Sequence, residues 1–166
     1  LTQFDVVAFS LSWEPDAAGM LRLLAGSGIP VPRQMRTEAH PLILAGGLGA
    51  SANPEPIAGF VDAVVIGEGE EVIHELVAAL ERGEGSRSRR LEELASLPGV
   101  YVPSSYRPQD VPSTRVVRRW VKDLDRIETV TRILTPDTEF GNVFLVELAR
   151  GCSWNCAFCL ARAAYR

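Results

Sequence analysis

With 166 residues, 46% of them apolar and 23% charged, the chain can bury a core and has room for one domain and part of a second. A net charge of −4 and a pI near 5.3 leave no basic footprint for nucleic acid or an anionic membrane surface. No apolar run approaches the roughly 20 residues that span a bilayer, so a cytoplasmic protein is expected.

Residues 5–10 form a short apolar run bounded by polar residues, which predicts a central strand. Glu14, Pro15 and Asp16 supply a cap and an early proline for a helix over 17–25, where Met20, Leu21 and Leu24 recur at helical spacing before glycines end it. A second strand over 42–45 stops at Gly46, Gly47 and Gly49, with no helix expected directly after them. Asn53, Pro54, Glu55 and Pro56 open a short helix to Phe60, and residues 62–66 make a third strand. Beyond Gly67, Glu68, Gly69, Glu70 and Glu71, an amphipathic helix runs to about Arg82 with Val72, Ile73, Leu76, Val77 and Leu80 on its apolar face. The acidic residues before it suit a helix N-terminus.

Alternating strands and helices predict an α/β fold: a doubly wound parallel, Rossmann-like sheet with helices on both faces. Ligands of such sheets lie beyond the carboxyl ends of the strands, where Ser10, Gly46, Gly47 and residues 67–69 should gather. The glycines lack the GxGxxG spacing of a dinucleotide site. Residues 81–90 read as a flexible link into a helix over 91–97, followed by a turn at Pro98 and Gly99 and an apolar stretch over 100–102. A Pro-rich connection leads to a strand over 115–121, on which Arg115, Arg118, Arg119 and Lys122 make a solvated face, and then to an irregular linker over 123–135. The apolar run 143–148 predicts a buried strand that Arg150 and Gly151 release into a loop.

That loop holds the chain's three cysteines, Cys152, Cys156 and Cys159, within eight consecutive residues. Thiolates are soft ligands that select zinc or iron–sulfur clusters. A structural zinc site would take a fourth Cys or His, yet His40 and His74 lie far upstream and read as surface or helix-packing residues. A cluster held by three thiolates keeps one iron open. The odd cysteine count argues against a disulfide framework. The spacing, three residues and then two, resembles the CxxxCxxC signature of the radical S-adenosylmethionine (radical SAM) enzymes, with Phe158 just before the third cysteine. The resemblance implies that Cys152, Cys156 and Cys159 bind a [4Fe-4S] cluster whose open iron chelates SAM, that one electron from the cluster cleaves SAM to a 5′-deoxyadenosyl radical, and that Phe158 lies near the adenine. It implies an electron donor such as flavodoxin or ferredoxin, and leaves open whether the substrate is a small molecule or a macromolecule. Trp154 takes no role from it.

The order of Ser10, Gly46-Gly47, Asn53 to Pro56 and residues 67–71 is similar to the cobalamin-binding-like domain that precedes the barrel in many radical SAM proteins. That likeness implies a corrin site at Ser10, Gly46 and Gly47. The DxHxxG motif that supplies the axial histidine is missing from the sequence, so cobalamin is expected to bind weakly or not at all. The expected organisation is a cobalamin-binding-like domain over 1–82, a connector over 83–140 and the start of a partial radical SAM barrel over 141–166. Both ends look cut, and such a piece is expected to be inactive alone. Two alternatives stand beside this one: a binding module braced by zinc or an iron–sulfur cluster, without catalysis, and a corrinoid-dependent radical methyltransferase.

Overall fold

Apolar side chains at alternate positions turn to opposite faces of a strand, and here both faces are covered. A computed structural model describes residues 1–106, 116–154 and 156–165, the side chain of residue 163 excepted. It divides into two compact units, Leu1–Trp120 and Val121–Arg166.

In the first unit β1 (Val6–Ser10), β2 (Leu42–Gly46), β3 (Ala63–Val65) and β4 (Val100–Tyr101) form one sheet in the order β1-β2-β3-β4. Val7, Ile43, Ala45, Val64 and Tyr101 point to one face, against Met20 and Leu24 of α1 (Asp16–Gly26) and Ala50 of α2 (Leu48–Ala52). Leu44, Ala63 and Val100 point to the other, against Val72, Leu76 and Ala79 of α3 (Val72–Arg82) and Leu94 of α4 (Arg87–Ala95). The unit is therefore an α/β fold. The sheet is mixed, however, and not all-parallel: β1, β2 and β3 run parallel, and β4 pairs antiparallel with β3 through Val64–Tyr101 and Val65–Val100. Two helices, α3 and α4, separate β3 from β4, so the chain re-enters the sheet from the carboxyl side.

Local chemistry moves three expected boundaries. Helix α2 begins directly after Gly47, because Gly49 and Ala50 donate their N–H groups to the Leu11 carbonyl and so gain partners that a free helix end lacks. The helix expected after Asn53 is a single 3-10 turn, Glu55–Ile57. Helix α4 starts four residues before the expected position, within the polar stretch, where the Ser86 hydroxyl accepts the Arg89 N–H as an N-cap. In the described part of the strand expected over 115–121, Arg119 makes one isolated parallel bridge to Gly67; Arg115 lies outside the described residues.

A buried ion cluster ties these pieces together. One carboxylate oxygen of Asp62 accepts the Ile43 N–H at 2.7 Å and meets Arg36 Nη1 at 2.9 Å and Arg87 Nη2 at 2.7 Å. Arg36 also donates to the carbonyls of Pro30, Val31 and Phe60, and burial lowers its pKa. The carboxylate thus links the loop before β2, the entry to β3 and the start of α4.

On the face of the sheet that carries Val7, Ile43 and Val64, Tyr101 donates its hydroxyl to Glu55 Oε1 at 2.6 Å and packs on Tyr106. Burial, and then the bond to Glu55, push the phenol up to about 12. An unfolded tyrosine titrates near 10. The protonated phenol is therefore favoured in the fold, and its stabilisation is complete below about pH 10 and lost as the pH rises towards 12. Its size is about 2.7 kcal/mol at most. Denaturant titrations across that window should show a fall in stability that Tyr101→Phe removes; equal slopes for the two proteins would refute the assignment.

Among the described residues of the second unit one antiparallel bridge, Val130–Val146, is flanked by Thr131 N–H to Leu145 O and Glu147 N–H to Thr129 O. Residues 143–148, expected as a buried strand, are exposed, Leu148 to 93%. A strand buries its apolar face only against a second layer, and here one short stretch alone pairs with it. The unit ends in α5 (Leu160–Ala164). Among the described residues no helix is long and apolar enough to cross a membrane.

Candidate functional site

Two places follow from the expected site residues: the carboxyl-end turns of the sheet and the cysteine loop. At the first, Ser10 pairs in register with Gly46, whose carbonyl accepts the Leu11 N–H. Gly47 has φ +96°, and a Cβ there would come within 2.8 Å of the Leu11 carbonyl oxygen. Gly67 has φ +112°, and a Cβ there would overlap the carbonyl of Arg119. Both positions require glycine, and in both the neighbour that needs the space is the chain's own backbone. The Ser51 hydroxyl closes the same region, accepting the Gly67 N–H at 2.9 Å and donating to Val65 O at 3.3 Å. Arg119 forks onto Glu75, and Arg118 lies 3.9 Å from Glu68. His40 accepts the Thr37 N–H, and His74 is exposed on α3. With Leu11 and Arg119 filling the glycine turns, these residues do not fit a corrin.

The cysteine loop is built differently. Glu147 is anchored by its N–H bond to the Thr129 carbonyl, and its two oxygens accept Arg150 Nε at 2.8 Å and Nη2 at 2.7 Å. The hydrogen bond from Arg150 holds the Glu147 carboxyl below the usual carboxylate range. The Arg150 side chain is only 11% exposed. Gly151 then turns at φ +90° into Cys152. Cys159 donates its N–H to the Cys156 carbonyl at 3.1 Å and stands at the N-cap position of α5. Cys152 is exposed, Cys156 and Cys159 are half-buried, and all three are free thiols. Trp154 and Phe158 are exposed, and Asn155 lies outside the described residues.

The structure thus brings the three cysteines onto one loop with a closed turn between the last two. Among the described residues no three His, Cys, Asp or Glu side chains converge on one point. As a donor set, three unbridged thiols on eight residues fit an iron–sulfur cube with one open iron. The Glu147–Arg150 fork was not singled out from the sequence, although opposite charges three apart beside a motif are a usable signal. Neither was the Asp62 cluster, whose partners lie 25 or 26 positions away along the chain.

The family model described as radical SAM proteins, N-terminal, matches residues 1–103. The chain belongs to the radical SAM family. A four-iron, four-sulfur cluster and SAM go with that family in general. The chain is also similar to uncharacterized protein MJ0966 of Methanocaldococcus jannaschii, 26% identical over 170 residues that take in 99% of this chain and 32% of the relative. It therefore spans about a third of the length of that curated relative. No solved structure matches it.

Proposed function

We propose that the whole protein is a SAM-dependent radical enzyme in which Cys152, Cys156 and Cys159 hold a [4Fe-4S] cluster, leaving one iron for the amino and carboxylate groups of SAM. The observation that carries this is a trio of free cysteines on one loop, in a chain whose first 103 residues match a radical SAM family model. When bound, the cluster supplies the single electron that cleaves the sulfonium carbon–sulfur bond and gives the 5′-deoxyadenosyl radical. The chain's part is to close the loop so that three thiolates meet one cube, to hold Phe158 against the adenine, and to keep the approach rigid through the Glu147–Arg150 fork. The sheet unit, which takes in α4 and β4 as well as residues 1–82, serves as a cobalamin-binding-like domain that works without a corrin, the residues from its end to 140 as a connector, and residues 141–166 as the opening of the barrel. A flavodoxin or ferredoxin in the cytoplasm is the proposed electron source.

Anaerobic reconstitution of the 166-residue chain with iron and sulfide, followed by metal and acid-labile sulfide analysis, is the test. Iron and sulfide are expected in equal amounts, near four of each per chain. One tightly held zinc and no sulfide would replace this proposal with the metal-braced binding module.

A further inference from the structure

Strand β1 is an edge of the sheet, and its two faces are covered unequally. Val7 and Phe9 belong to the core that α1 closes. On the other face Val6 and Ala8 line a groove of about 530 Å³ together with Leu44 and with Ile73, Val77 and Leu80 of α3, and Ile73 and Val77 are half exposed there. The backbone of β1 is open along the same edge. Asp5 O accepts the Leu42 N–H and Leu11 N–H donates to Gly46 O, so the odd-numbered residues face β2. In a parallel ladder the residues between them turn the other way, and the N–H and C=O groups of Val6, Ala8 and Ser10 therefore point outward. Such a row is a template for a further strand, whose side chains on one face would reach over the groove. Of the charged residues that line it, Asp5, Glu81 and Glu84 are acidic, and the basic one, Arg90, lies 3.8 Å from Asp5. The acidic surplus is thus at Glu81 and Glu84.

We propose that a strand from the remainder of this protein's own chain, outside these 166 residues, pairs along β1 as a fifth strand of the sheet, seats apolar side chains over Ala8, Ile73 and Val77, and carries Lys or Arg where it passes Glu81 and Glu84. The open ladder groups select a strand and not a lone helix. The acidic surplus selects basic residues beside its apolar ones, and a second copy of this chain would bring the same acid to the interface. The match to MJ0966 takes in 32% of that relative, so a chain of that length has about two-thirds of its residues left from which to supply the strand. Pairing at this edge does not depend on what Cys152, Cys156 and Cys159 bind.

The experiment compares amide exchange in the 166-residue chain and in the whole protein at equal concentration. Val7 and Phe9, bonded to β2, should be protected in both and serve as the control. Ala8 and Ser10 should exchange at least about tenfold more slowly in the whole protein; equal rates overturn the proposal. Protection of Ala8 already present in the 166-residue chain, and lost on dilution together with a dimer seen in sedimentation, would give the edge to a second copy and overturn it as well. Val77→Lys, at a half-exposed helical position, should leave the urea midpoint of the 166-residue chain at the wild-type value and restore fast exchange at Ala8 in the whole protein. Retained protection there would mean that no apolar side chain is seated on Val77. Glu81→Lys/Glu84→Lys should likewise speed exchange at Ala8 in the whole protein, and an unchanged rate refutes the basic flank.

Discussion

Asp62→Ala is expected to destabilise the first unit by about 3–5 kcal/mol, the cost of leaving a buried charge without its partner. The side chain of Arg36 is fully withdrawn from solvent and that of Arg87 nearly so, and both guanidiniums converge on one carboxylate oxygen of Asp62. Removing it strands two cations and the Ile43 N–H together. Asp62→Asn keeps a hydrogen-bond acceptor and should cost less than Asp62→Ala. Adding Arg36→Met to Asp62→Ala should recover part of the loss, because one stranded cation is then gone. Urea titration with the midpoint and slope fitted separately is the measurement. A loss under about 1 kcal/mol would mean that water or a neighbouring carboxylate reaches the two arginines, and that the cluster is less dry than its geometry indicates.

Replacing any one of Cys152, Cys156 or Cys159 with alanine is expected to remove the cluster altogether. A cube held by three thiolates has one attachment for each of three irons, and two attachments no longer fix it against hydrolysis and oxygen. Each variant should lose the broad visible absorbance of the reconstituted chain and, in the whole protein, fall to background in 5′-deoxyadenosine formation under dithionite. Stability of the first unit should stay at the wild-type value, since none of the three residues belongs to its cores. Phe158→Ala separates cluster binding from SAM binding: it should keep iron and sulfide while weakening SAM retention. A cluster that survives Cys156→Ala unchanged would refute the ligand set.

The parts of the fold legible in the sequence are those that local pattern determines. Strands β1, β2 and β3 and helices α1 and α3 appear within a few residues of their expected bounds, because runs such as 42–45 and the recurrence of Val72, Leu76 and Leu80 record which faces are buried, although Ile73 and Val77, expected on the same apolar face of α3, are exposed and Ala79 is buried in their place. Helix α2 was illegible because distant backbone at Leu11 supports its first turn. The direction of β4 depends on two helices lying between it and β3, and two residues of strand carry no sign of direction. Residues 143–148 show the reverse failure, since their apolar run is real but apolar composition records a tendency to be covered and not the presence of a cover. The cysteine trio stands out in the sequence because spacing alone defines it, and the structure adds that all three are free thiols on one loop. Gly47 and Gly67 were expected among the ligand-side turns at the carboxyl ends of the strands, but the group that closely approaches each is the chain's own backbone.

Exposed apolar side chains in the second unit also bear on calorimetry. Ile133, Leu134, Phe140, Phe144, Leu148, Trp154 and Phe158 are already in contact with water in the folded chain. The heat capacity increment of unfolding comes from apolar surface newly hydrated, about 0.45 cal/K/mol for each Å², so melting this unit contributes little to it. The temperature curvature of the chain's stability therefore belongs to the two cores around the sheet. Whatever comes to cover those seven side chains will register as a negative heat capacity of association.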